Sequence, residues 1–461
     1  MPYRELAIPD PRGLIFGRCP RPVRCGFDLA IGDGTVFPEV NFTLPAIEIS
    51  TGTWSEVIAH YREMAAVILR RAIALQAPGI VLEFELLPPM TANPAWGAEI
   101  TALLHRRLAD AYEKHGLKCA LRVTPTDIRD QSRPPVLREG GPWENLKRSF
   151  ELSIQAGADV VSIESVGGKE IHDRGLMYAD MRPIVFALGI LAPRDMAWLW
   201  ERISGMCAAL CKSGGHAIAG GDSACGFANT AMQLAHRKML PEVLATVVRA
   251  MSAVRSLVAF EHGAVGPSKD CAYEGPVIKA ITGCPISMEG KSASCAHFSP
   301  VGNVAASVCD LWSNESVQNV RLLSGSAPEA YTELLAYDCR LMNVAGANGH
   351  ALLLRDWLCA SDEDLSPQAA VLSPAATIRI AEAIVRADSP YRQTIAAGMA
   401  AVCELRERTG AGRLKLSAKE TRWLDKIESE LGGLPRDEDE LRREIEAEYG
   451  NLFAPESYGW E

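Results

Sequence analysis

From residue 79 onward, short apolar runs alternate with longer stretches whose apolar residues recur at helical spacing. GIVLEFEL (79–86), LKCALRVT (117–124), DVVSIES (159–165), HAIAGGD (216–222), SLVAFEH (256–262), PISMEG (285–290) and VQNVRLL (317–323) read as strands. Helical segments separate them, for example 144–157, 196–214 and 241–256. Strands divided by helices build βα units and a parallel sheet. Seven or eight such units predict an α/β fold, a closed (β/α)8 TIM-type barrel. The eighth strand has two weak candidates, LPAIEIS (44–50) and QAAVLS (368–373).

The pattern changes at both ends. Residues 1–75 are rich in Gly and Pro before turning helical at 54–75, and read as an N-terminal extension covering one end of the barrel. The barrel itself is expected over 76–373. Beyond 374 the chain is helical and charged, and Ser417 with Glu420 three residues on has the form of a capping box. Alternating charges there predict a C-terminal helical appendix, 374–461, lying on the surface.

Charge and cysteine content narrow the function classes. A formal net charge of -10 argues against nucleic acid or an anionic membrane as partner. The N-terminus lacks an apolar signal core. The longest apolar run, 184–193, is about half of the ~18 residues that a membrane span needs. The 13 cysteines are scattered and form no short-spaced framework. The expected setting is a reducing cytoplasm, where cysteine serves metal, catalysis or core packing before disulfides.

Three segments carry metal-competent side chains just past apolar runs: Glu164 in SIESVGGKE, Cys225 in GGDSACGFAN and Cys271 in GPSKDCAYEG. In a barrel, residues after successive strands converge on one mouth. Two thiolates and a carboxylate suit zinc, with a fourth position open to substrate. Cys295 and His297 form a competing pair after the sixth run. Glu83 and Glu85, two apart on one strand, share a face and need a partner such as Arg122. His262 is a candidate pocket residue. The sequence GPSKD (266–270) lacks the order of a phosphate loop, and no strand is followed by a dinucleotide fingerprint.

The segments GGDSACGFANTAM, SLVAFEHGAVGPSKDCAYE, KAITGCPISMEGKSASCAH and WSNESV resemble the zinc-containing subunit of methanol:corrinoid methyltransferase, as do NPAWGAEI, LAYDC and the terminal PESYG. The resemblance runs through nearly the whole chain. It implies a TIM barrel and one zinc per chain, on Glu164, Cys225 and Cys271. It also implies methyl transfer from methanol to the cobalt(I) of a corrinoid carried by a separate corrinoid protein. Asp222 becomes a candidate for helping a proton reach the departing oxygen. His262 departs from the small residue expected at its position. That leaves a methoxylated aromatic, methylamine or methyl thiol as alternative donors. A barrel that only binds a corrinoid protein without catalysis is the reading from another class. The expected assembly is a homodimer within a larger complex.

Overall fold

The computed structural model describes residues 2–269, 271, 273–296, 298–314, 321–322 and 325–460. Its first two strands, β1 (Arg18–Cys25) and β2 (Leu29–Asp33), form an antiparallel hairpin. Seven further strands make one parallel sheet: β3 (Phe37–Phe42), β4 (Ile80–Leu86), β5 (Cys119–Pro125), β6 (Val160–Ile163), β7 (Ile218–Asp222), β8 (Ser287–Glu289) and β9 (Leu311–Ser313). Their order is β7-β6-β5-β4-β3-β9-β8.

The gap between β8 and β7 is filled by residues 265–269. The Val265 amide donates to the Ala219 carbonyl of β7 (2.8 Å), and Ser268 bridges Ile286 in parallel register beside β8. The ring therefore closes with eight staves in sequence order. Closure depends on Gly220 and Gly221. The β6–β7 register jumps there, from Val161–Ala219 to Ser162–Gly221, so Gly220 is the extra residue of a bulge. A Cβ on Gly220 would lie 3.1 Å from the Pro267 carbonyl oxygen and 2.7 Å from the Val160 side chain. Gly221 has φ +142, so both positions admit the neighbouring segment only without a side chain.

Several assignments made from the sequence change. Residues 256–262 are not a strand but the last turns of helix Glu242–Glu261. A short apolar run belonging to a buried helix carries the same local signal as a buried strand. The stave that follows β7 is instead 265–269, a few residues later. Neither candidate for the eighth strand is one: 44–50 has no strand, and 368–373 falls mainly in helix Pro367–Leu372. The barrel strands missed are β3 and β9, and the β1–β2 hairpin is missed as well. β3 carries Pro38 in a Gly- and Pro-rich context, and β9 is three residues long. Because β3 pairs with both β4 and β9, the barrel begins inside the stretch read as an extension. Of the run 317–323, most lies outside the described residues; Arg321–Leu322 pairs with Gly325–Ser326 in a separate hairpin.

The β1–β2 hairpin caps the N-terminal end of the barrel. Cys25, Leu29 and Ile31 pack on Val81, Ala120, Val160 and Leu311, which stand at the beginnings of their strands. Above this layer the interior is polar. Arg122 donates to Glu39 (2.6 Å), Ser162 (2.8 Å) and the Pro267 carbonyl (2.9 Å), all fully enclosed. A buried arginine is tolerated when its donors are used in this way.

Helix Glu242–Glu261 explains the C-terminal region. It is long and apolar enough to cross a membrane, yet every residue from Val243 to Phe260 is buried. A helix apolar on all sides must be covered on all sides. Helices Ala192–Lys212, Pro367–Leu372, Pro390–Gly410 and Ala418–Gly432 pack around it. The charged C-terminal helices are thus not a solvated layer. Their apolar faces, including Ala397, Ala401, Leu424 and Leu431, complete the core, and their charged faces meet water.

Candidate metal centre

The C-terminal ends of the staves bring Glu164, Cys225 and Cys271 together. Glu164 follows β6 directly. Cys225 lies three residues past β7, at the start of a π-helical turn, Cys225–Asn229. Cys271 lies two residues past the 265–269 stave. One ligand atom from each falls within 4.8 Å of the other two. The Cys271 thiol donates to Glu164 Oε1 at 3.0 Å. The side chain of Asn229, one helical turn beyond Cys225, donates to Cys225 Sγ (3.4 Å) and to the Cys271 carbonyl (3.0 Å).

The electrostatics fit a cation. A hydrogen bond with Cys271 favours the Cys225 thiolate. Burial and the nearby Glu164 and Glu289 carboxylates outweigh it, and push the Cys225 pKa up to about 12. Two thiolates and a carboxylate this close repel one another when ionised. A bound dication removes that conflict, so the donor set and its packing match a metal.

Lys269 is the residue that the sequence reading passed over, because GPSKD was considered only as a phosphate loop. It is fully enclosed, with Nζ 2.7 Å from Glu83 Oε1 and 3.1 Å from Glu85 Oε1. The same nitrogen lies 3.4 Å from Cys271 Sγ and 3.8 Å from Glu164 Oε1. Glu83 and Glu85 do reach the site, but their cation is Lys269; Arg122 is committed to Glu39. Thr124 donates to Glu83 (3.0 Å) and Asn41 to Glu85 (3.2 Å).

The loop carrying Glu164 is held from behind. Asp222 Oδ1 accepts from the Ser165 amide and from Arg255, both at 3.2 Å, and its Oδ2 accepts from Trp200 (3.0 Å). These contacts engage both carboxylate oxygens, so Asp222 braces the loop. Asp127 accepts from the Val166 amide (3.1 Å) and is itself fixed by Arg129, which also clamps Asp195. Tyr458, from the terminal PESYG segment, accepts from the Gly168 amide (2.8 Å) and donates to Glu170 (2.7 Å). A cavity of about 200 Å³ opens beside Glu164, bounded by Glu85, Thr124, Thr126, Asp127 and Lys169.

The remaining candidates lie elsewhere. His262 caps the C-terminal end of helix Glu242–Glu261, and the chain just beyond it pairs with the beginning of β7. It therefore sits toward the opposite end of the barrel and does not line the mouth. Its expected pocket role fails because residues 256–262 are helical, which shifts the stave past it. Cys295 is exposed on the short helix Lys291–Ala296 and is not part of the metal-competent group. His297 lies outside the described residues.

A parallel barrel with two thiols and a carboxylate clustered at its C-terminal mouth defines a class: a barrel enzyme whose mouth carries a metal-competent donor set. The sequence profile of the methanol-cobalamin methyltransferase B subunit matches residues 2–459, and the chain belongs to that family. It is 37% identical, over 99% of both chains, to the methanol-corrinoid protein co-methyltransferase of Methanosarcina barkeri. Its fold matches the crystal structure of the methanol:cobalamin methyltransferase complex MtaBC from Methanosarcina barkeri with a TM-score of 0.94, 36% identity and 99% coverage of each chain.

Proposed function

We propose that this protein transfers the methyl group of methanol to the cobalt of a corrinoid carried by a separate protein, and that Glu164, Cys225 and Cys271 hold one zinc ion for that purpose. The observation that carries the reading is the convergence of these three donors within 4.8 Å at the barrel mouth of a chain belonging to this family. Zinc bound there supplies Lewis-acid stabilisation for the charge that develops on the alcohol oxygen as its bond to carbon breaks.

The chain's own residues do the rest. Cobalt(I) of the partner's corrinoid gives its electron pair to the methyl carbon. Both electrons of the C–O bond leave on oxygen, and one proton completes water. Asp222, Asp127, Arg255 and Tyr458 keep the Glu164 loop in place, so that the ligand geometry exists before substrate arrives. Asn229 orients the two cysteines relative to each other. A barrel that merely binds a corrinoid protein has no use for a converging two-thiol, one-carboxylate cluster.

Two further features support finer parts of the reading. All 13 cysteines are free, as a reducing cytoplasm requires. Leu334, Tyr337, Leu341 and Val344 form a stripe on helix Ala327–Ala347, each more than half exposed, with Trp357 on the next helix also exposed. Apolar residues at this helical spacing on the surface fit a self-complementary contact between two copies. Leu341→Glu should then yield monomers by light scattering.

The decisive experiment joins metal analysis to methyl transfer. Wild-type protein should hold one zinc per chain and methylate cob(I)alamin from methanol, and not from methylamine or an aromatic methyl ether. Cys225→Ala and Cys271→Ala should each lose the metal. Full zinc retention in both variants would overturn the ligand assignment.

A further inference from the structure

We infer that Lys269 is a buried counter-ion that keeps the carboxylates of Glu83 and Glu85 off the metal, preserving an open coordination position on the Glu164–Cys225–Cys271 set. The inference rests on the metal reading above. Glu83 and Glu85 stand two apart on β4 and share a face, which the alternation of a strand requires. Both point toward the cluster, and a carboxylate oxygen is a competent zinc ligand. Zinc has no d-electron demand on its geometry, and a fourth position left open by three protein ligands accepts a carboxylate oxygen as readily as a water. A site with Glu83 and Glu85 free to swing in would fill the position that the alcohol needs.

Lys269 stands between the two groups. Its ammonium has three N–H donors. Around them lie Glu83 Oε1 at 2.7 Å, Glu85 Oε1 at 3.1 Å and Cys271 Sγ at 3.4 Å. The ammonium thus neutralises the β4 carboxylates and touches the ligand shell without entering it, since a protonated amine has no lone pair to offer a metal. Thr124 and Asn41 hold the same two carboxylates from the other side. The backbone leaves Lys269 little choice of position. The 265–269 stave that carries it is wedged between β7 and β8 at Gly220 and Gly221, two residues before Cys271.

The test uses cobalt(II) added to metal-free protein, because its visible spectrum reports coordination number while the thiolate-to-cobalt band reports the cysteines. Wild type should give the intense ligand-field bands of a four-coordinate site. In Lys269→Met the thiolate band should persist while the ligand-field bands shift, because a carboxylate oxygen replaces solvent at the fourth position, and they should weaken several-fold where a further oxygen is added. The triple variant Glu83→Gln/Glu85→Gln/Lys269→Met should restore the wild-type spectrum, because neutral amides are poor ligands. It should also fold even if the single variant does not, since it removes both β4 carboxylates together with the cation that pairs with them. Three results would overturn the inference: an unchanged spectrum in Lys269→Met, a changed spectrum that the triple variant fails to restore, or, should Lys269→Met not fold, a triple variant unlike wild type. Absence of any thiolate-to-cobalt band in wild type would instead sink the metal reading itself.

Discussion

Tyr458→Phe removes one oxygen atom from a hydrogen-bonded junction between the chain terminus and the Glu164 loop. That hydroxyl accepts from the Gly168 amide at 2.8 Å and donates to Glu170 at 2.7 Å, and Tyr458 is buried. Phenylalanine fills the same volume, so no cavity opens. Two partners lose their bonds, and leaving a buried group unsatisfied costs about 1–3 kcal/mol each, more when it is charged. Burial raises the Glu170 pKa to about 7, while the bond from Tyr458 acts to lower it. A carboxyl whose folded pKa lies above its unfolded value is fully stabilising at low pH. It loses that contribution as pH rises through the folded pKa. Without the tyrosine hydroxyl the folded pKa moves higher still, so the decline continues to higher pH. The variant should therefore be destabilised by about 2 kcal/mol near pH 5, where Glu170 is neutral, and by roughly 3–4 kcal/mol near pH 8.5, where it is ionised. Urea unfolding at the two pH values measures the difference. Hydrogen exchange over 164–170 should show the loop opening more often. A variant within about 0.5 kcal/mol of wild type at both pH values, with unchanged exchange, would refute the idea that Tyr458 anchors this loop.

Asn229→Ala removes the donor shared by Cys225 and the Cys271 carbonyl, and zinc affinity measured by competition with a chromophoric chelator should fall roughly 10- to 100-fold. His262→Ala should leave methyl transfer from methanol unchanged in both kcat and KM, because the residue lies at the far end of the barrel; a large change in either would contradict that placement. Asp159 is buried, and desolvation raises its pKa to about 7 against the opposing bond from the Leu121 amide. Stability should fall as pH climbs from about 4 to 7 and level off above, and Asp159→Asn should flatten that slope, worth as much as about 4 kcal/mol by the ~1.36 kcal/mol per pKa unit relation.

The sequence alone determined the fold class and the three donors. Barrel units announce themselves locally, as an apolar run, a loop and an amphipathic helix, and a ligand just past a run needs no tertiary information to be noticed. It could not place the staves where backbone pairing, not composition, makes the strand. β3 contains a proline, β9 has three residues, and 265–269 bonds to its neighbours only because Gly220 and Gly221 let it approach. Misreading 256–262 as a strand moved His262 into the pocket and hid Lys269, since one shifted stave changes which side chains share the mouth. Only the tertiary structure decided that Asp222 braces a loop, that Lys269 joins β4 to Cys271, and that Tyr458, nearly 300 residues from Glu164 in sequence, holds the Glu164 loop. Each is a long-range hydrogen bond or ion pair. No local pattern encodes which distant partner a buried polar group will find, only that it must find one.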